Sequence, residues 1–345
     1  MPMTGLMLLS LLGGVALAWW LLLRARQPLA NWWRHHRDGE RVQVEDALKH
    51  VYECEYQGRI CTWQSLSGVL GLSSGRALAL LQRLVALGLV VSSADDGACR
   101  LTPAGRRDAL RVIRIHRLWE RYLAEETGLA ATDWHAVADR REHNTTWEQA
   151  QALASQMGHP RYDPHGDPIP TADGEMPPPR GQPLSQLAPG TWAEIVHLED
   201  EPPAVYAQLL AQGLQVGMHV RVFESGAERI RFEVDGEEHV LAPIMAANLA
   251  VQALAGDAGG RPHLALSLLS PGEHGRVRGI SPLCVGVARR RFFDLGLVPG
   301  TRITVEMRSR HGDPTAYRIR GALIAFRREQ AELIQVEREA EVLSR

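Results

Sequence analysis

The chain has 345 residues, of which 45% are hydrophobic and 23% charged, and its formal net charge is -2. This length and apolar content allow several globular units with their own cores, which excludes a disordered protein. The near-neutral charge excludes a protein that is basic over its whole surface, although a local patch can still bind nucleic acid. Four cysteines without C-x-x-C spacing, Cys54, Cys61, Cys99 and Cys284, indicate buried reduced thiols, not a zinc ribbon or a disulfide framework.

An uncharged apolar run lies near the start of the chain, from Leu6 to Leu23. Its 18 residues can cross a hydrocarbon core of about 30 Å as a helix. Arginines follow the run and none precedes it, so the positive-inside rule predicts a single-pass anchor in the inner membrane with the bulk of the chain cytoplasmic. A cleaved signal peptide is the alternative, but the basic n-region is missing and no small-x-small cleavage site follows.

Three short helices and a β-ribbon are predicted next. The helical segments lie around Val44–Tyr56, Trp63–Leu70 and Ser74–Leu87, and Ser73 or Ser74 can cap the third. The following "LVVSS…ACRLT" reads as two strands joined around Asp95-Asp96-Gly97. This order predicts a helix-turn-helix with a wing, and a small helical hairpin with a β-ribbon is the alternative.

Imidazoles and carboxylates recur at helical spacing in the two helical regions that follow, Pro103–Gly128 and Thr132–Gly158. The residues with this chemistry are His116, Glu120, His135, Asp139, Glu142 and His143, and Asp46 near the start of the first helix. Four of these residues, His135, Asp139, Glu142 and His143, cover an arc of only about 100° on one helix. Such donors without thiolate suit Mn²⁺, Fe²⁺ or Zn²⁺. A solvated charged face is the alternative.

An internal repeat follows a turn and linker rich in Pro and Gly (Gly158–Pro183). "LSQLAPG" at Leu184 recurs as "LSLLSPG" at Leu266, and "GLQVGMHVRV" at Gly213 recurs as "GLVPGTRITV" at Gly296. Each copy ends in alternating strand-like runs with Gly turns, which favours small antiparallel barrels. The repeat therefore predicts two tandem β modules.

The motif order resembles a known family. The winged helix-turn-helix, "LTPAGRRDALRVIRIHRLWERYL", "WHAVADRREH" and "GHPRYDPHGDPIP" are similar to the metal-dependent repressors of the DtxR/MntR type, over about Glu45 to Pro170. The β modules resemble the barrel of these repressors and of FeoA, an accessory protein of ferrous iron uptake. The second copy is the closer match to FeoA, through "FFDLGLVPGTRITV" and "HGDPTAYRIRG".

The resemblance implies a winged helix-turn-helix, a helical metal-binding and dimerisation domain and two small SH3-like, FeoA-like β-barrels. With the N-terminal transmembrane helix predicted from the apolar run, the expected fold class is α+β. The expected divisions are 1–40 (anchor and juxtamembrane segment), 41–108 (winged helix-turn-helix), 109–175 (metal binding and dimerisation), 176–183 (linker), 184–252 (first barrel) and 264–338 (second barrel). A homodimer that uses Fe²⁺ or Mn²⁺, with Zn²⁺ as a further option, is implied as well.

The family's metal ligands can be carried over position by position. Its principal site corresponds to Asp46, Asp139, Glu142 and His143, and its second site to His116, Glu120 and His135. The carboxylate at 139 resembles the manganese-sensing members, although their additional acid on the first helix falls at Lys49. Glu199 falls near a position that supplies an extra ligand in three-domain members.

The third predicted helix departs from the family pattern. Its expected DNA-facing residues are Ser74, Arg76, Ala79, Gln82 and Arg83. The family usually has small polar residues where Leu78 and Ala79 stand, and often has basic residues where the wing carries aspartates. Alanine and leucine offer only apolar contact to a base, for example to a thymine methyl, while arginines can hold phosphates. Specific DNA binding and a module used for protein contacts both remain open.

Two functional hypotheses follow. The first is a membrane-anchored, metal-responsive transcriptional regulator. The second is a metal-sensing regulator without DNA binding that acts on a ferrous iron transporter through its FeoA-like modules. A metallohydrolase is disfavoured because the chain lacks H-E-x-x-H and the proposed ligands join separate helices without an evident extra base or nucleophile, so we expect no enzyme.

The anchor hypothesis makes a topological prediction. A reporter fused to the C-terminus should behave as cytoplasmic, and the protein should stay in the membrane fraction after a high-salt wash, because salt screens charges and does not extract a spanning helix. Recovery of a mature form that begins after Trp20 would contradict the anchor and establish cleavage.

Overall fold

The computed structural model describes residues 39–93, 97–234, 236–254 and 264–339. The chain divides into two compact units, Met1–Val112 and Ile113–Arg345. The predicted anchor and the Asp95-Asp96 pair of the wing lie outside the described residues. Among the residues that are described, no single helix is long and apolar enough to cross a bilayer, and the one pair of helices that passes together is bent by 116°.

The described part of the first unit follows the order predicted from the sequence. Its elements are α1 (39–56), α2 (Trp63–Val69), α3 (Ser74–Ala86), β1 (Val90–Ser92), β2 (Cys99–Leu101) and the start of α4 (Pro103–Glu126). A capping box between Thr62 and Ser65 begins α2. The strands β1 and β2 pair antiparallel, with Val90 opposite Leu101. The helix pair and the two-stranded ribbon of a winged helix-turn-helix are therefore present.

Helix α3 is amphipathic, which decides its two faces. Ala77, Leu80, Leu81 and Leu84 are buried at the i, i+3, i+4, i+7 spacing of a core-facing stripe. The predicted DNA-facing set is exposed on the other side, namely Ser74, Arg76, Ala79, Gln82 and Arg83. Ser73 occupies the N-cap position, but its side chain makes no capping hydrogen bond, so the predicted cap interaction is absent.

The second unit begins with a helical part made of the rest of α4, α5 (Ala131–Glu142) and α6 (Trp147–Gln156). Apolar side chains of α4, α5 and α6 form its two small cores. The segment after α6 folds back against α4, because Arg114 Nη1 donates to Pro170 O at 2.5 Å and Arg117 Nη1 donates to Pro168 O at 2.7 Å. Two arginines of α4 thus hold a loop that the sequence marks only as rich in Pro and Gly.

Two six-stranded antiparallel sheets follow the helical part. The first copy contains β3 (Gln182–Pro183), β4 (Trp192–Leu198), α7 (Pro203–Ala211), β5 (His219–Ser225), β6 (Ile230–Val234), β7 (Glu237–Leu241), α8 (Pro243–Ala246) and β8 (Leu249–Ala253). The second contains β9 (Leu264–Ala265), β10 (His274–Ile280), α9 (Gly286–Asp294), β11 (Arg302–Arg308), β12 (Thr315–Ile319), β13 (Ala322–Phe326), α10 (Arg328–Glu332) and β14 (Ile334–Arg338).

The two sheets share one topology, which confirms the internal repeat. Their strand orders are β3-β8-β4-β5-β6-β7 and β9-β14-β10-β11-β12-β13. Register shifts recur at equivalent places, between Ile195 and His197 in β4 and between Val277 and Gly279 in β10. In the described residues the outer strands of each sheet are not paired with each other, so the closed SH3-like barrel stays a prediction.

A close backbone contact in the first unit explains one glycine. A Cβ at Gly105, in the first turn of α4, would lie 1.9 Å from Leu89 O. The hydroxyl of Thr102 accepts from Gly105 N at 3.1 Å and donates to Gly88 O at 2.7 Å, which fixes the start of α4 against the end of the α3–β1 turn. Only glycine fits this approach without moving backbone.

Gly105→Ala should therefore lower the free energy of unfolding by about 1–3 kcal/mol, as overpacking does. Gly75→Ala is the matched control, because nothing lies within 4 Å of a Cβ at this position in α3. The control should range from neutral to about 1 kcal/mol stabilising. Urea denaturation of both variants measures the difference, and equal stability would contradict the contact.

Candidate metal centre

The predicted histidine and carboxylate residues of α4 and α5 converge around one point. His116 Nε2 lies 3.1 Å from Glu120 Oε1, His135 Nδ1 lies 3.2 Å from the same oxygen, and the two ring nitrogens are 3.3 Å apart. Two donors bound at about 2.1 Å to one ion are about 3.0 Å apart at an octahedral angle and about 3.4 Å apart at a tetrahedral angle. The three atoms are therefore spaced as the ligands of one metal ion.

The first sheet and the loop before it provide two further donors, which form a second group with Glu120. Asp200, just after β4, places Oδ2 3.3 Å from His135 Nδ1. His165, in the loop that follows α6, places Nε2 3.8 Å from both Glu120 Oε1 and Asp200 Oδ2. We refer to His116, Glu120, His135, His165 and Asp200 as the five-donor centre.

The loop and β4 are joined through backbone contacts that position these two donors. Leu198 N donates to His165 O at 2.9 Å, and a Cβ at Gly166 would lie only 2.0 Å from Val196 O. Asp163 Oδ1 accepts from the backbone N–H of His165 and of Asp167, both at 2.9 Å, which tightens the turn. His165 and the end of β4 therefore form a common wall of the centre.

His165 provides the structural test of whether a cation fits. Its side chain is 1% exposed, and neither ring nitrogen has a hydrogen-bond partner. Its ring packs against Trp134 at 5.9 Å and edge-on against Tyr206 at 4.8 Å between centroids. These rings fix the direction of the imidazole but provide no hydrogen bond to its nitrogens. A buried imidazole without partners is costly unless a further group binds it. A metal ion among the five donors is such a group.

The charges of the centre also favour a cation. Burial alone would raise the pKa of Glu120, but the surrounding imidazoles, chiefly His116, hold that pKa well below its usual range. Burial alone would lower the pKa of His135, but hydrogen bonds to Asp200 and Glu120 raise it to about 10. His135 therefore carries a proton at neutral pH in the absence of metal, and metal binding would release it.

The second nitrogen of His116 contacts the other predicted ligands of α5. His116 Nδ1 lies 2.5 Å from Glu142 Oε2 and 3.2 Å from Asp139 Oδ1. Glu142 is buried, and its Oε1 lies 3.4 Å from His143 Nε2. Because Glu142 holds one nitrogen of an imidazole whose other nitrogen faces Glu120, His116 physically joins the two predicted ligand sets.

The assignment of two predicted ligands, Asp46 and Glu199, is not decided by the geometry of the five-donor centre. Asp46 lies half-buried on α1 of the first unit, so its part in the principal site stays a prediction. Glu199 lies beside His197, not beside His135: burial raises the pKa of Glu199 to about 7, and the repulsion from Asp167 and Asp200 adds to this against the effect of His197. Its assignment as a ligand likewise stays a prediction.

The sequence reasoning missed His165 and Asp200. His165 lies in "YDPHGDPIP", a segment for which the sequence predicts a turn. Asp200 directly follows Glu199, the predicted extra ligand. A histidine between two glycine- or proline-bounded turns carries no periodicity, so its direction could not be inferred. The acidic run Glu199–Glu201 was the one signal for Asp200, without a means to choose among its three members.

The predicted DNA-facing arginines differ in their surroundings. Arg83 Nη1 lies 2.6 Å from Glu40 Oε2, and both side chains are exposed. Exposed ion pairs of this kind contribute only about 0–1 kcal/mol, so a phosphate could displace Glu40. Arg76 is exposed near the start of α3. The helix thus presents positive charge beside apolar Leu78 and Ala79.

Replacement of His165 tests the five-donor centre. His165→Asn should weaken Mn²⁺ or Fe²⁺ binding by about 10–100-fold, the usual cost of losing a group that supports a metal site. His159→Asn is the matched control, because His159 is exposed and has φ 56°, a conformation that asparagine tolerates. Calorimetric titration of both variants gives the affinities, and unchanged binding by His165→Asn would remove it from the centre.

Comparison with known proteins agrees with this geometry. Residues 102–171 match the metal binding and dimerisation domain of iron-dependent repressors, and residues 264–338 match the FeoA domain. The diphtheria toxin repressor of Corynebacterium diphtheriae is 33% identical over 130 residues, which are 38% of this chain and 57% of that protein. The iron-dependent repressor IdeR of Mycobacterium tuberculosis is 32% identical over 127 residues, 37% of this chain and 55% of that protein.

The chain thus spans little more than half the length of these curated relatives. Among solved structures, a manganese-dependent transcriptional repressor in complex with manganese is 29% identical with a TM-score of 0.56, and the match covers 61% of this chain and 100% of that one. The resemblance to the DtxR/MntR-type metal-dependent repressors is confirmed, with the metal binding and dimerisation domain of that family at residues 102–171 and a FeoA domain at residues 264–338.

Proposed function

We propose that the protein is a transcriptional regulator of the DtxR/MntR type that responds to Fe²⁺ or Mn²⁺ and controls metal homeostasis as a homodimer. The proposal includes attachment to the inner membrane through the Leu6–Leu23 run, with the regulatory part of the chain in the cytoplasm. The observation that carries it is the five-donor centre, in which neither ring nitrogen of the buried His165 side chain has a hydrogen-bond partner.

The donor types support a divalent metal of the iron and manganese kind. The centre has three imidazoles and two carboxylates and no thiolate, a set that suits Mn²⁺, Fe²⁺ and Zn²⁺. Two of the proteins named above are described as an iron-dependent and a manganese-dependent repressor. A bound divalent ion would supply the positive charge that these buried donors otherwise take from protons.

The regulatory step would couple the metal sites to the winged helix-turn-helix. His116 and Glu120 lie on α4, and the same helix begins at Pro103, directly after the wing strand β2. A metal-ordered α4 and α5 would fix the dimerisation helices, and Asp46 on α1 would extend the constraint to the DNA-binding part. The entropy cost of ordering these helices would then be met when the metal binds and not when DNA binds. The metal-loaded protein would therefore bind DNA more tightly, because the metal shifts the population toward the conformation that binds DNA.

The DNA contact would depend on charge more than on base readout. The exposed side of α3 offers Arg76, Arg83 and Gln82, while Ala79 and Leu78 can make only apolar contacts. These apolar positions favour the second candidate, a metal-sensing regulator of ferrous iron transport that contacts a membrane transporter instead of DNA. The FeoA match of the second sheet is compatible with this candidate.

Titration of the full chain against its own promoter DNA at several salt concentrations separates the two candidates. Metal-loaded protein should bind this DNA more tightly than chelator-treated protein. The double variant Arg76→Ala, Arg83→Ala should lower the slope of log affinity against log salt by up to about 2, because two phosphate contacts are lost.

The matched control removes two exposed arginines of the second sheet, Arg276 and Arg302, which pair with Glu339 and lie on strands β10 and β11. This double alanine variant should keep the unmodified slope. If the metal-loaded protein shows no preference for the promoter over random DNA, the regulator reading fails and the transport reading replaces it.

A further inference from the structure

Three of the four cysteines meet in the first unit, far in sequence from the five-donor centre. His50 and Cys54 lie one turn apart on α1, Cys61 lies in the segment that leads into α2, and Cys99 lies on the wing strand β2. All three thiols are free and only 2% exposed. We refer to these four residues as the thiol cluster.

Three members of the thiol cluster, His50, Cys54 and Cys61, are close enough to share one metal ion. His50 Nε2 lies 3.6 Å from Cys54 Sγ, and the donor atoms of His50, Cys54 and Cys61 all lie within 4.8 Å of one another. Ligands at Zn–S of about 2.3 Å and Zn–N of about 2.0–2.1 Å on a tetrahedral ion are about 3.5–3.8 Å apart. The imidazole and the first thiol already have this spacing.

Backbone pairing places Cys99 beside Cys61. Cys99 N donates to Cys61 O at 2.8 Å, and the two residues form an antiparallel bridge. Cys61 Sγ lies 3.5 Å from Ser65 Oγ, and Cys99 Sγ donates to Gly97 O at 3.8 Å. Cys99 is therefore the next thiol beside the group formed by His50, Cys54 and Cys61.

The surroundings raise the pKa of the Cys54 and Cys61 thiols, whereas the interaction with Cys61 lowers the pKa of Cys99. Burial, followed by repulsion from Cys61, raises the pKa of Cys54 to about 11. The hydrogen bond to Cys99, followed by burial, raises the pKa of Cys61 to about 12. Adjacent buried thiolates need a nearby positive charge, which a divalent metal ion can supply. A lone buried cysteine in its thiol form needs no such charge.

We propose that His50, Cys54, Cys61 and Cys99 bind one Zn²⁺ ion through three thiolates and one imidazole, at a site separate from the five-donor centre. Three thiols would each lose a proton to solvent as three Zn–S bonds form, and the neutral imidazole would give the Zn–N bond. Cys₃His is a closed structural ligand set for zinc, whereas Mn²⁺ prefers oxygen ligands. The ion would tie α1, the start of α2 and the wing together.

Cobalt substitution in the full chain tests this site, because a cobalt–thiolate bond gives a charge-transfer absorption in the near ultraviolet that imidazole and carboxylate ligands do not give. Reduced protein with its five-donor centre saturated with Mn²⁺ should develop this absorption with one Co²⁺ per chain and lose it when Zn²⁺ is added. Cys61→Ser should abolish the absorption. Cys284→Ser, which alters the buried cysteine of the second sheet, should retain it.

A second measurement needs no variant and covers the case in which Cys61→Ser does not fold. Alkylation of the unmodified chain, followed by mass spectrometry, should show that Zn²⁺ slows modification of Cys54, Cys61 and Cys99 at least tenfold and leaves Cys284 unchanged. Absence of the cobalt–thiolate absorption, equal slowing at Cys284, or a Cys61–Cys99 disulfide that forms equally fast with Zn²⁺ present would each overturn the proposal.

Discussion

The imidazole of His116 is the interaction on which the candidate metal centre depends. One ring nitrogen lies 3.1 Å from Glu120 Oε1 and the other lies 2.5 Å from Glu142 Oε2, and all three residues are buried. Two buried carboxylates on adjacent helices would repel each other and resist desolvation without this ring between them. The ring therefore sets the approach of α4 to α5, and with it the positions of every donor on those helices.

The first sheet contributes to the candidate metal centre as well as to the repeat. The Leu198–His165 backbone hydrogen bond and the close approach of Gly166 to Val196 join β4 to the loop that carries a donor. A second polar group lies alongside: burial alone would raise the pKa of Asp167, but Arg117 and then His197 hold it well below its usual range. Charged side chains of the helical part, the loop and the first sheet are thus buried next to one another.

The second sheet repeats the topology of the first without repeating its ligands. The β4 turn carries Glu199, Asp200 and Glu201, whereas the equivalent turn after β10 carries Ser281, Pro282 and Leu283. Its helix α9 instead contacts the end of α4: a Cβ at Gly286 would lie 2.2 Å from Thr127 O, and Arg290 Nη1 lies 2.5 Å from Glu126 Oε2. One fold therefore contributes to the candidate metal centre in one copy and to packing against α4 in the other.

The sequence by itself determined the order of the elements, the amphipathic faces of α3 and the duplication of the sheets. It also predicted the candidate donors of α4 and α5, because spacing along one helix is a local property that periodicity reports. The exposed set around Arg76 and Ala79 follows from the same rule.

Only the tertiary structure decided which distant groups meet. His165 joins Glu120 across 45 residues of chain, Cys99 joins Cys61 across 38, and Arg83 meets Glu40 across 43, and no local pattern encodes such pairings. Asp200, and not its neighbour Glu199, has a carboxylate oxygen 3.3 Å from His135, and the acidic run alone does not encode this choice. These contacts arise when separate elements pack, so the donor set is complete only in the folded chain.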